Sequence, residues 1–424
     1  MSRKMKDSGM AWIGDIPEEW NIAKIKHHLR RSELRNPRNV RLLSLYREYG
    51  VIPKDSRSDN HNVASENTDN YKYVRPGDFV INKMKAWQGS VAVSEYEGIV
   101  SPAYYVYVFL YKTIHKRYFH YLLRSCYKDE FRRLSGGLRV GQWDLPSDAF
   151  ENTLFLLPPC IEQVAIAKSL DKKCAEIDKV VEKTRESIEE YKKLKQAVIT
   201  EAVTKGVRGP RPMKPSGVEW IGDIPEEWRM NRLKRIFKAI SGSGFKPDLQ
   251  GNTNEKLPVY KAGDISKARE YVSYSPNTLS LTIAEKFGFS VVPSGSILLP
   301  KIGEAMKKNS RAITTKDCCI DNNCIALVPH ESFSKYYYYF SLCIDSAWYD
   351  NAGTIPSLNV AHFLRSRIPL PTSNEQQEIA DYLDVKCGEI DRLISKKEQL
   401  ITELETYKKS LIYEYVTGKK EVPA

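Results

Sequence analysis

The sequence predicts an α+β protein in which two mixed α/β regions alternate with two long helices. Three observations carry this: a heptad-patterned stretch that occurs twice, a nonapeptide that occurs twice without change, and two dissimilar segments of similar layout between them.

The stretch EQVAIAKSLDKKCAEIDKVVEKTRESIEEYKKLKQAVITEAVT (residues 162–204) returns as EQQEIADYLDVKCGEIDRLISKKEQLITELETYKKSLIYEYVT (375–417), without a gap, at an offset of 375 − 162 = 213. Glu162, Gln163, Leu170, Asp171, Cys174, Ile177 and Asp178 meet identical counterparts in Glu375, Gln376, Leu383, Asp384, Cys387, Ile390 and Asp391. Apolar residues recur at heptad spacings through Leu170, Cys174, Ile177, Val181 and Ile188, and again through Leu383, Cys387, Ile390, Ile394 and Ile401. Such a seam is the coiled-coil pattern and needs a partner helix to cover it. The simplest partner for each copy is the other; pairing between two chains, or a helix shielding a domain surface, is the alternative. Each helix would run roughly 60 Å, which makes it a spacer as well as a core element.

Lys and Arg number 65 against 53 Asp and Glu, a formal net charge of +12, which points to a polyanionic partner. Nucleic acid leads, because no basic amphipathic helix with apolar anchors suggests a membrane surface. No apolar run approaches the ~20 residues of a membrane span, and MSRKMKDSG lacks a signal-peptide apolar core, so a cytoplasmic location with no membrane contact is expected. The eight cysteines form no regular framework, and reduced, buried thiols are expected. Cys318, Cys319, Cys324 and His330 make a poor zinc set without any CxxC, and no metal site is expected.

The nonapeptide WIGDIPEEW occupies residues 12–20 and recurs at 220–228, an offset of 220 − 12 = 208. Its tryptophans are expected to fasten the chain to a scaffold; stacking on bases is disfavoured because Asp15, Glu18 and Glu19 would repel phosphates. Between nonapeptide and helix, residues 21–157 and 229–370 barely match in sequence but share a layout. Each has a strand (DFVIN at 78–82, SILL at 296–299), then a basic loop (KMKAWQGS at 83–90, KIGEAMKKNSR at 301–311), then a returning strand. Apolar β-rich runs follow at 103–109 and 324–328, then short helices with Tyr118, Tyr121, Leu122 and Ser125, or Tyr336, Tyr339, Phe340 and Cys343, on one face. These aromatics are expected in the core. A glycine-bearing loop comes next, LSGGLRVGQWDL at 134–145 or NAGTIPSLNV at 351–360, and a last strand ends at Leu157-Pro158 or Leu370-Pro371. The linker KGVRGPRPMKPSG (205–217) marks the boundary between halves through its Gly and Pro content.

Phosphate-loop, dinucleotide, HExxH and nucleophile-elbow motifs are all lacking, and seven scattered histidines form no catalytic set, so no catalytic residue is assigned. Binding fits better. Lys, Arg, Asn and Gln on glycine-edged loops are the groups that pair with guanine and adenine edges while neighbouring cations hold phosphates. The DNA-binding candidates are Lys83, Lys85, Gln88, Arg139 and Gln142 in the first region, and Lys301, Lys307, Lys308, Asn309, Arg311 and Asn359 in the second. A protein-binding scaffold and a nuclease with an unrecognised site are the rival classes.

Taken together, the doubled WIGDIPEEW, the doubled LPP or LPT…EQ…IA…LD…EID helix opening, the doubled EAVT or EYVT helix end and the two dissimilar segments resemble the specificity subunits of type I restriction-modification enzymes. The resemblance covers essentially the whole chain. It departs at the first helix exit, where Lys205 stands opposite Gly418. It implies two target-recognition domains, each reading one half of a split, asymmetric double-stranded DNA target, and two long helices paired antiparallel as a ruler, with an internal pseudo-two-fold repeat. The expected division is a first recognition domain at 1–157, its helix at 158–207, a second recognition domain at 208–370 and its helix at 371–424. It further implies a non-catalytic chain with no cofactor of its own, two partner modification subunits that bind S-adenosylmethionine and methylate adenine, and restriction subunits that use ATP and Mg2+.

Overall fold

The computed structural model describes residues 3–37, 40–47, 49–56, 67–137, 143–331, 334–351 and 353–422. The chain divides into two compact units, 1–185 with 398–424, and 186–397. Each unit therefore contains one mixed α/β region and a portion of both long helices, Cys160–Lys205 and Ser373–Val416, which are 46 and 44 residues long.

In the first unit a four-stranded antiparallel sheet runs in the order Leu29–Arg31, Tyr104–Phe109, Phe79–Asn82, Val91–Val93. All four residues of FVIN are buried because both sheet faces are covered, which is why this strand reads as a continuous apolar run rather than an alternation. Phe79 and Ile81 pack with Phe119, Leu122 and Phe150, whereas Val80 packs with Leu43, Val51 and Val106. The strand Leu154–Leu157 pairs with Asn21–Lys24 and delivers the chain through Pro158 and Pro159 into the first long helix. Pro158 and Pro159 withhold backbone N–H groups, so the ladder stops there and a helix can start.

The second unit builds a five-stranded sheet in the order Phe237–Ser241, Cys324–Pro329, Ile297–Pro300, Ala312–Thr314, Tyr271–Val272, whose last pair is parallel. A smaller sheet joins Thr278–Leu279, Leu257–Tyr260 and Cys319–Ile320 beside it. Cys318, Cys319 and Cys324 are buried in this packing, and burial pushes the Cys318 and Cys319 thiols up to about 12 and about 11. They are protonated, apolar side chains rather than thiolates, and among the described residues no three His, Cys, Asp or Glu side chains gather as a metal site.

Why the nonapeptide is duplicated follows from what its tryptophans touch. In the first unit Trp20 is fully buried and its Nε1–H donates to Glu162 in the first turn of the long helix at 2.8 Å, while Arg3 bridges Glu162 and Glu19. In the second, Trp228 Nε1–H donates to Glu375 at 2.8 Å, and Arg211 bridges Glu375 at 2.6 Å and Glu227 at 2.9 Å. Tyr118 donates to the Val416 carbonyl at 3.2 Å, as Tyr336 does to that of Val203 at 3.0 Å, so each mixed α/β region grips the far end of the other copy's helix within its own unit. Asp171 takes Arg117 and Tyr121, each at 2.7 Å, and Asp384 takes Lys335 at 2.6 Å and Tyr339 at 2.5 Å. These aromatic residues are core and docking elements in both units.

The long helices pair antiparallel in each unit, since partner numbers fall on one helix as they rise on the other. In the first unit Asp178 meets Lys408 at 2.6 Å and Arg185 meets Glu405 at 3.1 Å. In the second, Lys195 meets Asp391 at 2.7 Å and, just past the end of the first helix, Arg208 meets Glu378 at 2.7 Å. Asp178 and Asp391 are repeat counterparts, as are Lys195 and Lys408, so one ion pair is written twice. These pairs are exposed or half-exposed and are screened by solvent; the apolar seam holds the helices. Along it Leu170, Cys174, Ile177, Val181, Ile188, Leu383, Cys387 and Ile390 are buried, and Ile394 and Ile401 are half-buried. The helix exits differ by two residues. The first runs to Lys205 and turns at Gly206 (φ +78°), the second ends at Val416 and turns at Gly418 (φ +73°), each glycine taking the left-handed conformation that closes a helix. Among the described residues no helix is long and apolar enough to cross a membrane.

One buried group gives the first unit a pH dependence. His120 accepts the Val93 N–H at 3.2 Å and lies 3.3 Å from an Arg124 nitrogen; burial, then the Arg124 and Arg117 cations, hold its pKa down to about 3. The folded ring stays neutral while the unfolded chain protonates below about pH 6.5, so stability present above that value is lost as pH falls, by about 1.4 kcal/mol per pH unit. His120→Gln is expected to flatten this slope in urea titrations of the first unit's transition between about pH 7 and about pH 4.

Candidate nucleic-acid interface

In both units the structure brings the basic loop and the glycine-bearing loop side by side. The Leu145 N–H donates to the Lys83 carbonyl at 3.0 Å, and the Leu358 N–H donates to the Lys301 carbonyl at 2.8 Å. Lys83 and Lys301 are the first residues after their strands, and Leu145 and Leu358 lie at or near the ends of the glycine-bearing loops, so the same main-chain clasp forms on two unrelated sequences. Short bridges extend each clasp, Gly136 to Asp144 in the first unit and Ile302 to Ser357 in the second.

Within the first loop pair Lys85 is exposed, Lys83 ion-pairs with Asp144 at 2.9 Å, and the Gln88 side-chain carbonyl accepts from Arg47 at 3.0 Å. The loop turns at Gly89, whose φ of +86° is the left-handed conformation that favours glycine. Arg139 and Gln142 lie outside the described residues.

Within the second, Lys307 and Lys308 are exposed, Lys307 reaching Glu304 at 3.0 Å, and Lys301 is half-buried. Asn359 accepts the His362 N–H at 3.0 Å and so caps a short helix. Arg311 is 3 % exposed: its guanidinium donates to Asn309 Oδ1 and Ser346 Oγ at 2.8 Å and to the Ser310 and Ile344 carbonyls. Asn309 has φ +52° and also accepts from the Ser346 N–H, so Arg311 and Asn309 lock the loop from inside. Burial draws the Arg311 guanidinium down to about 10. For Arg311 the surface position expected from the sequence gives way to an internal one, because the loop folds its cation beneath itself to satisfy buried carbonyls.

The structure also gathers cations that no local pattern announces. Arg31 and Lys72 lie over the Tyr105 ring, 4.7 and 5.1 Å from its centre, and Tyr105 stands on the strand that pairs with Phe79–Asn82. Burial, then Arg31, lowers the Lys72 ammonium below its ordinary value. Residues 31, 72 and 105 come from separate strands, so only the assembly of those strands reveals the cluster.

Two loop clasps of different chemistry thus sit on one repeated frame. The chain matches the model of the type I restriction modification DNA specificity domain over residues 31–190 and again over 225–406, and it belongs to that family. Two specificity subunits of Methanocaldococcus jannaschii are similar over nearly their whole length. The putative MjaX subunit is 24 % identical, covering 97 % of this chain and 96 % of that protein. The MjaVIII subunit is 25 % identical, covering 96 % and 94 %. Among solved structures, a chain from work on complex assembly and conformational transition of the type I R-M system superimposes with a TM-score of 0.71 at 16 % identity, over 96 % of this chain and 99 % of that one. The HsdS subunit of Thermoanaerobacter tengcongensis gives 0.50 at 16 % identity, over 96 % and 98 %. The chain is thus a DNA target-recognition subunit, a non-catalytic component that assembles with the other subunits of a type I restriction-modification complex.

Proposed function

We propose that the first recognition region reads one half of a bipartite, asymmetric duplex target and the second reads the other, the long helices setting the gap and docking two modification subunits. Lys85, Lys307 and Lys308 are exposed on the loops and are assigned to the DNA, with Lys83, Gln88, Lys301 and Asn359 beside them; Arg139 and Gln142 complete the set from the sequence. The modification subunits carry S-adenosylmethionine and the adenine-methylating chemistry; restriction subunits, where they join, bring ATP and Mg2+. The complex works in the cytoplasm, where its DNA is.

The observation that carries this reading is the contrast between repetition and divergence. The Trp–Glu–Arg latch, the tyrosine grip and the Asp–Lys pair recur in both units, whereas the clasped loops read KMKAWQGS in one and KIGEAMKKNSR in the other. A repeated frame suits two copies of one partner, and divergent loops suit two different half-sites. Exchanging residues 21–157 for another recognition region should change one half of the methylated motif and leave the other half intact, as read by methylation-sensitive sequencing; change in both halves contradicts the modular reading. Affinity for duplex DNA should also fall steeply with salt. A salt-independent affinity would favour a protein-binding scaffold.

A further inference from the structure

We propose that Trp87 and Trp143 form an aromatic platform that contacts bases in the half-site read by the first recognition region, an inference that rests on the function proposed above. The two indoles face each other at 5.6 Å between ring centres, tilted by 55°. One comes from each loop of the clasp, and neither is buried in the core. Trp87 Nε1–H donates to the Met84 carbonyl at 3.1 Å, so its only indole donor is engaged within the loop, and the ring presents apolar surface. Arg132 lies over Trp143 at 5.8 Å from its centre, and Met84 beside Trp87 is 41 % exposed.

Three features direct this surface to DNA. The first is position: the pair sits on the clasp that presents Lys85, with Trp87 on the loop that begins at Lys83 and Trp143 on the loop that closes at Leu145. The second is charge, since Lys85, Lys128 and Arg132 are exposed around the rings and complement phosphate. The third is non-repetition. Counting from the clasp residues, Ala305 stands where Trp87 would fall and Pro356 where Trp143 would, whereas the scaffold residues Trp12, Trp20, Tyr118 and Tyr121 all recur as Trp220, Trp228, Tyr336 and Tyr339. An aromatic pair needed for the frame or for a partner held twice would be present twice. An apolar ring with its donor occupied offers a thymine methyl in the major groove its contact, which discriminates by shape rather than by hydrogen bonding.

The test is selection of a randomised duplex library by the full chain assembled with its modification subunits, comparing wild type with Trp87→Ala and Trp143→Ala. The expected result is relaxed base preference at one or two positions of one half-site, an unchanged other half, and an affinity about tenfold lower for the wild-type selected sequence. Trp87→Leu and Trp143→Leu, which keep apolar packing, should show the same relaxation and cover the case in which an alanine variant fails to fold. Unchanged preferences in both halves, or failed assembly with unchanged preferences in the assembled fraction, would overturn the proposal and, in the latter case, assign the rings to a protein contact. Lys85→Ala serves as the control, weakening all sequences alike. Absence of any bipartite preference in the wild type would instead remove the reading on which the inference rests.

Discussion

Trp228→Ala should destabilise the second unit by about 4 kcal/mol, a large share of the ~5–15 kcal/mol that an ordinary domain has. Two terms add. Truncating a fully buried indole leaves a large cavity among Ile221, Ile224 and Ile379, and it also removes the Nε1–H that Glu375 accepts. Glu375 is 1 % exposed, so the carboxylate left behind keeps Arg211 but is short of a donor that water cannot replace. Trp228→Phe separates the terms, retaining most of the volume and costing about 1–3 kcal/mol for the missing donor. The corresponding changes at Trp20 should cost less on the second term, because the Glu162 side chain is 22 % exposed and water can reach it. Urea unfolding of the full chain measures all of these. A cost under about 1 kcal/mol for Trp228→Ala would mean that the duplicated nonapeptide has some purpose other than latching the helix.

Arg311→Ala should destabilise the same unit by about 3 kcal/mol while leaving the salt dependence of DNA binding by the folded protein unchanged. Removal of the guanidinium strips donors from the buried Ile344 carbonyl and from Ser346, and takes from Asn309 Oδ1 one of the donors that hold it in the left-handed region. Lys307→Ala and Lys308→Ala should behave in the opposite way. Their exposure leaves stability within about 0.5 kcal/mol of wild type, and removing either ammonium from a phosphate should reduce the slope of log affinity against log salt by about one. A reduced salt slope for folded Arg311→Ala would put that cation back at the DNA surface.

The contrast between Arg311 and its neighbours shows where sequence reading stops. A lysine or arginine in a loop has the same local signature whether it faces solvent or turns inward. What separates Arg311 from Lys308 is the Ile344 carbonyl and the Ser346 hydroxyl, contributed by a segment far along the chain. The same holds for Arg31 and Lys72, which meet over Tyr105 only because their strands assemble, and for the clasps between Leu145 and Lys83 and between Leu358 and Lys301. Strand pairing across long loops is a non-local event, and no window of sequence contains both sides of it.

By itself the sequence determined the long helices, the internal repeat and the family, because heptad spacing and a nonapeptide repeated without change are local or comparative signals that survive any folding detail. The reason for that invariance came only from the tertiary structure: Trp20 and Trp228 each bury an indole and hand one hydrogen bond to the first-turn glutamate of a long helix. The direction of helix pairing, which heptads leave open and the family resemblance implied, is carried by Asp178 with Lys408 and Arg185 with Glu405, which can both meet only when the helices run opposite ways. Position along a chain is read from neighbours in sequence; burial, charge pairing and exposure belong to neighbours in space.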